Sequence, residues 1–413
     1  MRRQPSAAGR TPGVLVVGGD YRALGVVRSL GRRGIPAWVA RSVDDHGLAG
    51  TSRYCRRRLV WPDDDDGRLS FLRDLCDRDG TDGWTLFPTA DATAAFVARH
   101  HGELAERFRL TTPDWESFRW AYDKRLTYEL AATLGVPHPR VFTPRDRDDV
   151  GRFAGAFPVI LKPATKPRLN LPRAKAWPVF DPAELPARYD TVAPLAEPGA
   201  IMIQELIAGT GGQLSVAALC RQGEPLVITV AERVRQYPMD FGRSSSFVRT
   251  VDDPEVEHLA RRVLAALRLD GLVEVEFKRD ARDGLCKLLD INVRVWGWHT
   301  IGAGTGIDYA YLAWRLANGL SVSPRRAPAG LRWLRLTTDL PAAYDEIAHG
   351  RLGLGAYLRT LVTPHERAVA AWDDPVPGML EVPMFVAASL GSLRTNTKGL
   401  LAWSGSAVPG DEA

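Results

Sequence analysis

Only four cysteines occur in 413 residues, Cys55, Cys76, Cys220 and Cys286, and none stands at C-x-x-C or any other metal-site spacing. That argues against a disulfide framework or a zinc ribbon and reads as reduced thiols in a cytoplasmic protein. No stretch reaches the roughly eighteen uninterrupted apolar residues of a membrane-spanning helix, and the best run, 382–390, is too short. The opening MRRQPSAAGRTPG is basic without an apolar segment, so residues 1–12 read as a loose tail and not as a secretion signal. Lysine is scarce too, being confined to Lys124, Lys162, Lys166, Lys175, Lys278, Lys287 and Lys398, so arginine carries most of the formal charge of +5. Nowhere are basic residues interleaved with aromatics as a nucleic-acid groove requires, and neither nucleic acid nor a membrane is expected as a partner.

What is present is enough apolar residue, 45%, to bury two or three cores. From residue 13 a strand, VLVVGG, leads to a helix over 21–33 and a second strand over 37–40. The alternation repeats with strands over 58–61 and 84–87 and helices over 67–79 and 92–101. Alternating strands and helices predict a Rossmann-like, doubly wound parallel sheet over 13–112. Gly18-Gly19-Asp20 with Gly25 lacks the G-x-G-x-x-G spacing, and the second strand ends Val39-Ala40-Arg41 without an acidic ribose reader, which argues against a dinucleotide site. Asp20, Arg22 and Asp91, in loops at strand carboxyl ends, are candidates for bordering a substrate.

The chain's organising stretch is 271–299, GLVEVEFKRDARDGLCKLLDINVRVWGWH. It predicts two strands, 272–279 and 285–292, joined by the turn Arg282-Asp283-Gly284. Side chains two apart share a face, so Glu274 and Glu276 lie together, as do Asp290, Asn292 and Arg294. A hairpin sets those faces side by side and offers the oxygen-rich set that Mg²⁺ takes when phosphates also hold it. Arg294 cannot ligate a cation and would face phosphate oxygens instead. The alternative is a solvated acidic sheet face. Polar groups that end an otherwise apolar strand favour the metal reading.

V-E-F-K followed after a turn by L-D-I-N-x-R resembles the metal signature of the ATP-grasp superfamily, usually an acid or Gln on one strand and E-x-N-P-R on the next. Trp296 to His299, W-G-W-H, narrows the resemblance to a branch of carboxylate–amine ligases. Here Asp290 stands for the usual Glu and Val293 for the usual Pro. The resemblance implies an α/β and α+β protein: a pre-ATP-grasp domain (13–112), a clamp of small (113–200) and large (201–320) subdomains, and a C-terminal helical extension (321–413). It implies ATP and Mg²⁺, as two ions, with Glu276, Asp290 and Asn292 as metal ligands.

D-K at 123–124 before G-V-P-H-P resembles the opening of the ATP-grasp domain, with Lys124 in a first helical turn where a compensating anion is favoured. Lys162 ends the apolar strand FPVILK and either snorkels to the surface or is paired. Beside Lys124 and the metal strands, the second reading is taken. The loop 164–175 carries Lys166, Arg168, Arg173 and Lys175, either as a solvated basic loop or against triphosphate, with Lys175 the preferred contact. IMIQELI (201–207) resembles the adenine hinge, with Gln204 and Glu205 on the exocyclic amine and Ile207 contributing main chain. Gln213 stands where the family often has a ribose-binding Glu. Arg233 and Arg235 close a strand over 226–234, and with the loop GRSSSF (242–247) they are candidates for clamping a carboxylate. His299 is either a general base or a packed core residue, the latter favoured beside Trp298.

The expected activity is joining a small-molecule carboxylate to an amine through an acyl phosphate, with release of ADP and phosphate, and a homodimer is a candidate assembly. Alternatives are a non-catalytic ATP-binding sensor, an ester-forming homologue and a dinucleotide-dependent oxidoreductase.

Overall fold

The structure is a computed structural model, and it describes residues 11–395 apart from 46, 166–175, 210–211, 240–241, 243 and 364. The N-terminal unit alternates β1 (Val14–Val17), α1 (Tyr21–Gly31), β2 (Ala37–Arg41), β3 (Cys55–Val60), α2 (Asp65–Asp79), β4 (Thr85–Pro88), α3 (Asp91–Arg99), α4 (His101–Arg107) and β5 (Arg109–Leu110). Its five strands form a parallel sheet in the order β3-β2-β1-β4-β5, as the alternation predicts. Asp20 caps α1 by accepting from the backbone N–H groups of Arg22 and Ala23.

Next come α5 (Trp115–Tyr122), α6 (Lys124–Thr133), β6 (Val141–Phe142), α7 (Arg147–Gly151), β7 (Val159–Pro163), β8 (Trp177–Val179), α8 (Leu185–Val192) and β9 (Ile201–Glu205). Asp123 caps α6, and Gly135 follows its end at φ +60°, a backbone that glycine adopts without cost. A four-stranded antiparallel sheet, β6-β9-β7-β8, forms the smaller lobe. Strand β9 therefore belongs to this lobe, although the sequence reading placed 201–205 in the larger one.

The larger lobe follows with β10 (Gln213–Arg221), β11 (Glu224–Tyr237), β12 (Ser244–Thr250), α9 (Pro254–Leu267), β13 (Gly271–Arg279), β14 (Cys286–Asn292), α10 (Tyr309–Ala317), β15 (Arg325–Arg326), β16 (Arg332–Leu334), α11 (Leu336–Ala348), α12 (Leu354–Val362), β17 (Glu366–Arg367) and α13 (Val376–Thr395). Its sheet runs β14-β13-β10-β11-β12-β16-β17, with β15 paired to β11. Two expectations are corrected here. Most of GRSSSF is not a loop, since β12 begins at Ser244 and pairs with β11. The segment after 321 is not only helical, because β16 and β17 extend the large sheet. Two- and three-residue strands such as Arg332–Leu334 are too short to leave a period-2 pattern in sequence.

One apolar core joins the N-terminal unit to the large sheet. Val14, Leu24 and Val27 pack with Ala217, Val227, Trp296, Trp298 and Trp333 in a single buried cluster. The approach is close: a Cβ on Gly25 of α1 would meet the His299 ring at 2.6 Å. The W-G-W-H stretch is therefore a core element that seats the first βα loop against the end of β14.

Candidate functional site

β13 and β14 pair antiparallel with Glu276 opposite Asp290 and Glu274 opposite Asn292, the adjacency that the alternation predicted. The register shifts immediately after Glu276, so Leu289 is an extra residue on β14. Around this hairpin the charged groups interlock. Lys124 Nζ lies 2.6 Å from Asp290 Oδ1. Glu276 accepts from Arg233 at 3.1 Å, from Asn292 Nδ2 at 2.9 Å and from Gln213 Nε2 at 3.3 Å. Arg294 donates to Asn292 Oδ1 at 3.2 Å and to Asp91 of α3 at 2.9 Å. Glu274 is buried, accepts from Trp298 Nε1 at 2.9 Å, and is pushed up to about 7 by burial and by the neighbouring Glu276 charge.

Lys162, at the end of β7, is pulled down to about 7 by burial and by the Lys124 charge. Its ammonium lies 3.2 Å from the Tyr128 hydroxyl. That hydroxyl, on α6 and fully buried, is also 2.8 Å from Gln204 Oε1 on β9 and 3.0 Å from the Leu289 carbonyl on β14. One oxygen thus touches three strands that border the site. Sequence reading missed Tyr128, and only the phase of α6, which puts it one turn beyond Lys124, marks its position.

Several expected contacts fall elsewhere. Arg235 is buried and bound bidentately by Asp339 of α11 at 2.8 and 2.9 Å, beneath Phe247 and Tyr357, so it is a core ion pair and not an open clamp. The Glu205 carboxylate is taken by Arg282 at 2.5 Å, Lys287 at 3.5 Å and the Arg140 backbone N–H at 3.0 Å, so its oxygens already have partners within the protein. Gln204 Oε1 accepts from the Tyr128 hydroxyl. The Ile207 carbonyl accepts from Lys278 Nζ at 3.0 Å, a tie between β13 and the hinge that the sequence reading passed over. His299 is buried, bonds Trp296 O through Nδ1, and is pulled down to about 4 by burial, so it is a neutral core histidine. Lys166, Arg168, Arg173 and Lys175 lie outside the described residues.

Asp20, Arg22 and Asp91 gather beside Arg294 at the mouth of the hairpin, with Arg22 paired to Asp20 at 2.7 Å. The Asp20 carboxylate fills the N-terminus of α1, and Gly19 N–H is given to Asp45 at 2.6 Å, so the donors that a dinucleotide pyrophosphate needs are spent on carboxylates.

The donor set fits a hard divalent cation. Glu276 and Asp290 offer carboxylates from adjacent strands, part-buried and now neutralised by Lys124 and Arg233. Asn292 turns its amide nitrogen to Glu276 and its oxygen to Arg294, so it would ligate only after its amide rotates. Among the described residues no three Asp, Glu, His or Cys side chains form a cluster able to hold a metal ion. A cation here therefore depends on further oxygens from phosphate or water.

Residues 197–338, from β9 to the start of α11, match a family model described as ATP-grasp in the biosynthetic pathway with Ter operon. Among solved structures, the chain is similar to an L-amino acid ligase from Bacillus licheniformis, with 16% identity, TM-score 0.59, and 75% of this chain and 74% of that one covered. It is similar as well to the biotin carboxylase domain of 2-oxoglutarate carboxylase from Hydrogenobacter thermophilus in complex with MgADP, ADP and bicarbonate (17%, TM-score 0.62, 78% and 72% covered). A third is N5-carboxyaminoimidazole synthetase from Staphylococcus aureus (13%, TM-score 0.58, 82% and 86% covered). No curated protein sequence matches the chain. At these identities the likeness is one of fold.

Proposed function

We propose that this chain, which has the ATP-grasp fold, is an ATP-dependent carboxylate–amine ligase that forms an acyl phosphate and releases ADP and phosphate. The observation that carries the reading is the meeting of Lys124 and Lys162 with the Glu276/Asp290 pair at one hairpin end, since two cations beside two opposed carboxylates suit a nucleotide's phosphates together with their counter-ion.

Lys124 is within 2.6 Å of Asp290 and would exchange that partner for a phosphate oxygen when nucleotide enters. Lys162 would neutralise the same phosphates from β7. Glu276 and Asp290 would hold Mg²⁺, which when bound withdraws charge from the transferring phosphoryl group. Arg294, anchored on Asp91, and Arg233, anchored on Glu276, are the guanidinium groups left to orient the substrate carboxylate. A carboxylate oxygen bonds to the γ-phosphorus as the bond to ADP breaks. The amine nitrogen then bonds to the acyl carbon, phosphate leaves, and the nitrogen gives up a proton. Arg294 would meet the charge that develops on the acyl oxygen. No side-chain nucleophile is needed, and His299 is too deeply packed to serve as base.

The test is release of ADP and phosphate from pools of carboxylates and amines. Asp290→Asn is expected to lower kcat by on the order of 10²-fold or more while ATP affinity changes much less, as loss of one preorganised electrostatic element would. AMP as the product, or an Asp290→Asn protein as fast as the parent, would count against the mechanism. A second reading, a nucleotide sensor without turnover, draws on the Asp290 and Val293 departures. It is favoured if Mg-ATP binds and no pool yields ADP.

A further inference from the structure

The three C-terminal helices leave apolar stripes in solvent. On α11, Leu336, Leu340 and Tyr344 recur at every fourth position, all exposed, while Thr338, Asp339, Ala342 and Ala343 are buried. On α12, Leu354, Leu358 and Val362 repeat that spacing, with Val362 80% exposed. On α13, Val376, Met379, Leu380 and Val386 form a third stripe, and Trp372, just before it, is fully exposed at 100%. The helices are neighbours. Arg335 at the start of α11 bonds Glu381 of α13 at 2.8 Å, and Arg235, held by Asp339 of α11, also meets Tyr357 and Thr360 of α12.

We propose that this chain dimerises through these stripes, and that a second copy of itself covers them. Charge is sparse there: Asp345 and Glu346 at the end of α11 are both paired with Arg351, at 3.2 and 2.8 Å. Arg359 is the one charged residue of α12, and through residue 387 α13 has only Glu381, which is buried against Arg335. A helix that is apolar nearly all round is one that something covers. With the acids of α11 and α13 each paired to an arginine, the surface offers little basis for selecting an acidic or basic partner. The matching uncharged apolar surface is the patch itself, and a two-fold axis buries both copies of it at once. Tyr344 and Trp372 offer roughly 150–250 Å² each and the nine aliphatic or Met side chains less. Together the eleven, from 37% to 100% exposed, present on the order of 1,000 Å² per chain, above the roughly 800 Å² that each partner gives to a standard stable interface.

Sedimentation of the full chain from nanomolar to tens of micromolar is the test. The expected species is about twice 45.4 kDa. Leu358→Glu with Met379→Glu, both at exposed positions, is expected to weaken dimerisation by about 100-fold or more, as buried unpaired charge at an interface centre does. Circular dichroism and Mg-ADP binding should stay at parent values, and the milder Leu358→Ser with Met379→Ser should shift the equilibrium the same way. Val60→Glu, exposed on β3, should leave the dimer intact. A parent that is monomeric at every concentration, or a dimer that survives both double variants, overturns the proposal. So does a monomeric parent that floats with neutral phosphatidylcholine vesicles, which would make a lipid surface the occupant.

Discussion

Lys162 shares its site with Lys124, and burial together with that second charge brings its pKa down to about 7. The negative charge of a phosphate set between the two lysines outweighs both effects and raises the pKa, so nucleotide binding above pH 7 is expected to draw a proton onto Lys162. The sign follows. The charge-assisted contact is fully present below about pH 7, and it fades as pH rises toward the higher pKa of the bound state. Calorimetry of Mg-ADP binding near pH 8, in buffers of different ionisation heat, is expected to register fractional proton uptake. Lys162→Ala should abolish that uptake and weaken binding by about tenfold. Proton uptake unchanged in the variant would take Lys162 out of the site. Tyr128→Phe removes the oxygen that Lys162, Gln204 and Leu289 share, so a further 3- to 10-fold loss of nucleotide affinity is expected, with a stability cost of about 1–3 kcal/mol by chemical denaturation. At this scale the sequence was legible where alternation alone decides, as for Glu276 opposite Asp290. Tyr128 was not legible, because a Tyr on an amphipathic helix reads as ordinary core, and its contact with Leu289 depends on a carbonyl at a strand irregularity that no spacing announces.

The strands β11 and β12 separate two arginines that sequence reading paired. Arg233 and Arg235 stand two apart, which on a regular strand puts them on one face. The register shifts between Arg233 and Arg235 and again before Gln236. Arg233 consequently meets Glu276, while Arg235 enters the core against Asp339. Because both members of that pair are buried, Asp339→Ala leaves an uncompensated guanidinium and is expected to cost about 3–5 kcal/mol by urea unfolding. Arg235→Met with Asp339→Leu should recover most of the loss and keep nucleotide affinity at the parent value. A double variant that recovers stability but loses binding would restore Arg235 to the site. Long elements such as α9 are legible from periodicity, since Val256, Leu259, Ala260, Val263, Leu264 and Leu267 recur at helical spacing and are the buried face. β16 and β17 were not, since so short a strand takes its partner from the sheet already in place.

The three sheets do not divide the molecule where composition does. The N-terminal unit shares its core with the large lobe through Trp296, Trp298 and Trp333, so these parts form one body, and the small β6-β9-β7-β8 lobe keeps a separate core of its own. A chain ending at residue 320 lacks β16, Trp333 and the 372–374 segment. It is expected to bind the dye ANS strongly and to unfold over a broader thermal transition than the full chain. A sharp transition in the shortened chain would make the last third dispensable.

Arg28 of α1 donates to Asp374 and to the carbonyls of Val369 and Asp374, and Ser52 and the Arg53 backbone N–H complete the carboxylate's shell. The two partners are 346 positions apart. At translation speeds of about 5–20 residues per second, Arg28 leaves the ribosome roughly 20–70 s before its counter-charge exists. For that interval the nascent N-terminal unit holds a guanidinium in an unfinished wall, as well as the apolar face that Trp333 later closes. Cellular yield of this chain therefore depends on what shields that half-built surface during synthesis, and slowing elongation over the last third lengthens the exposure.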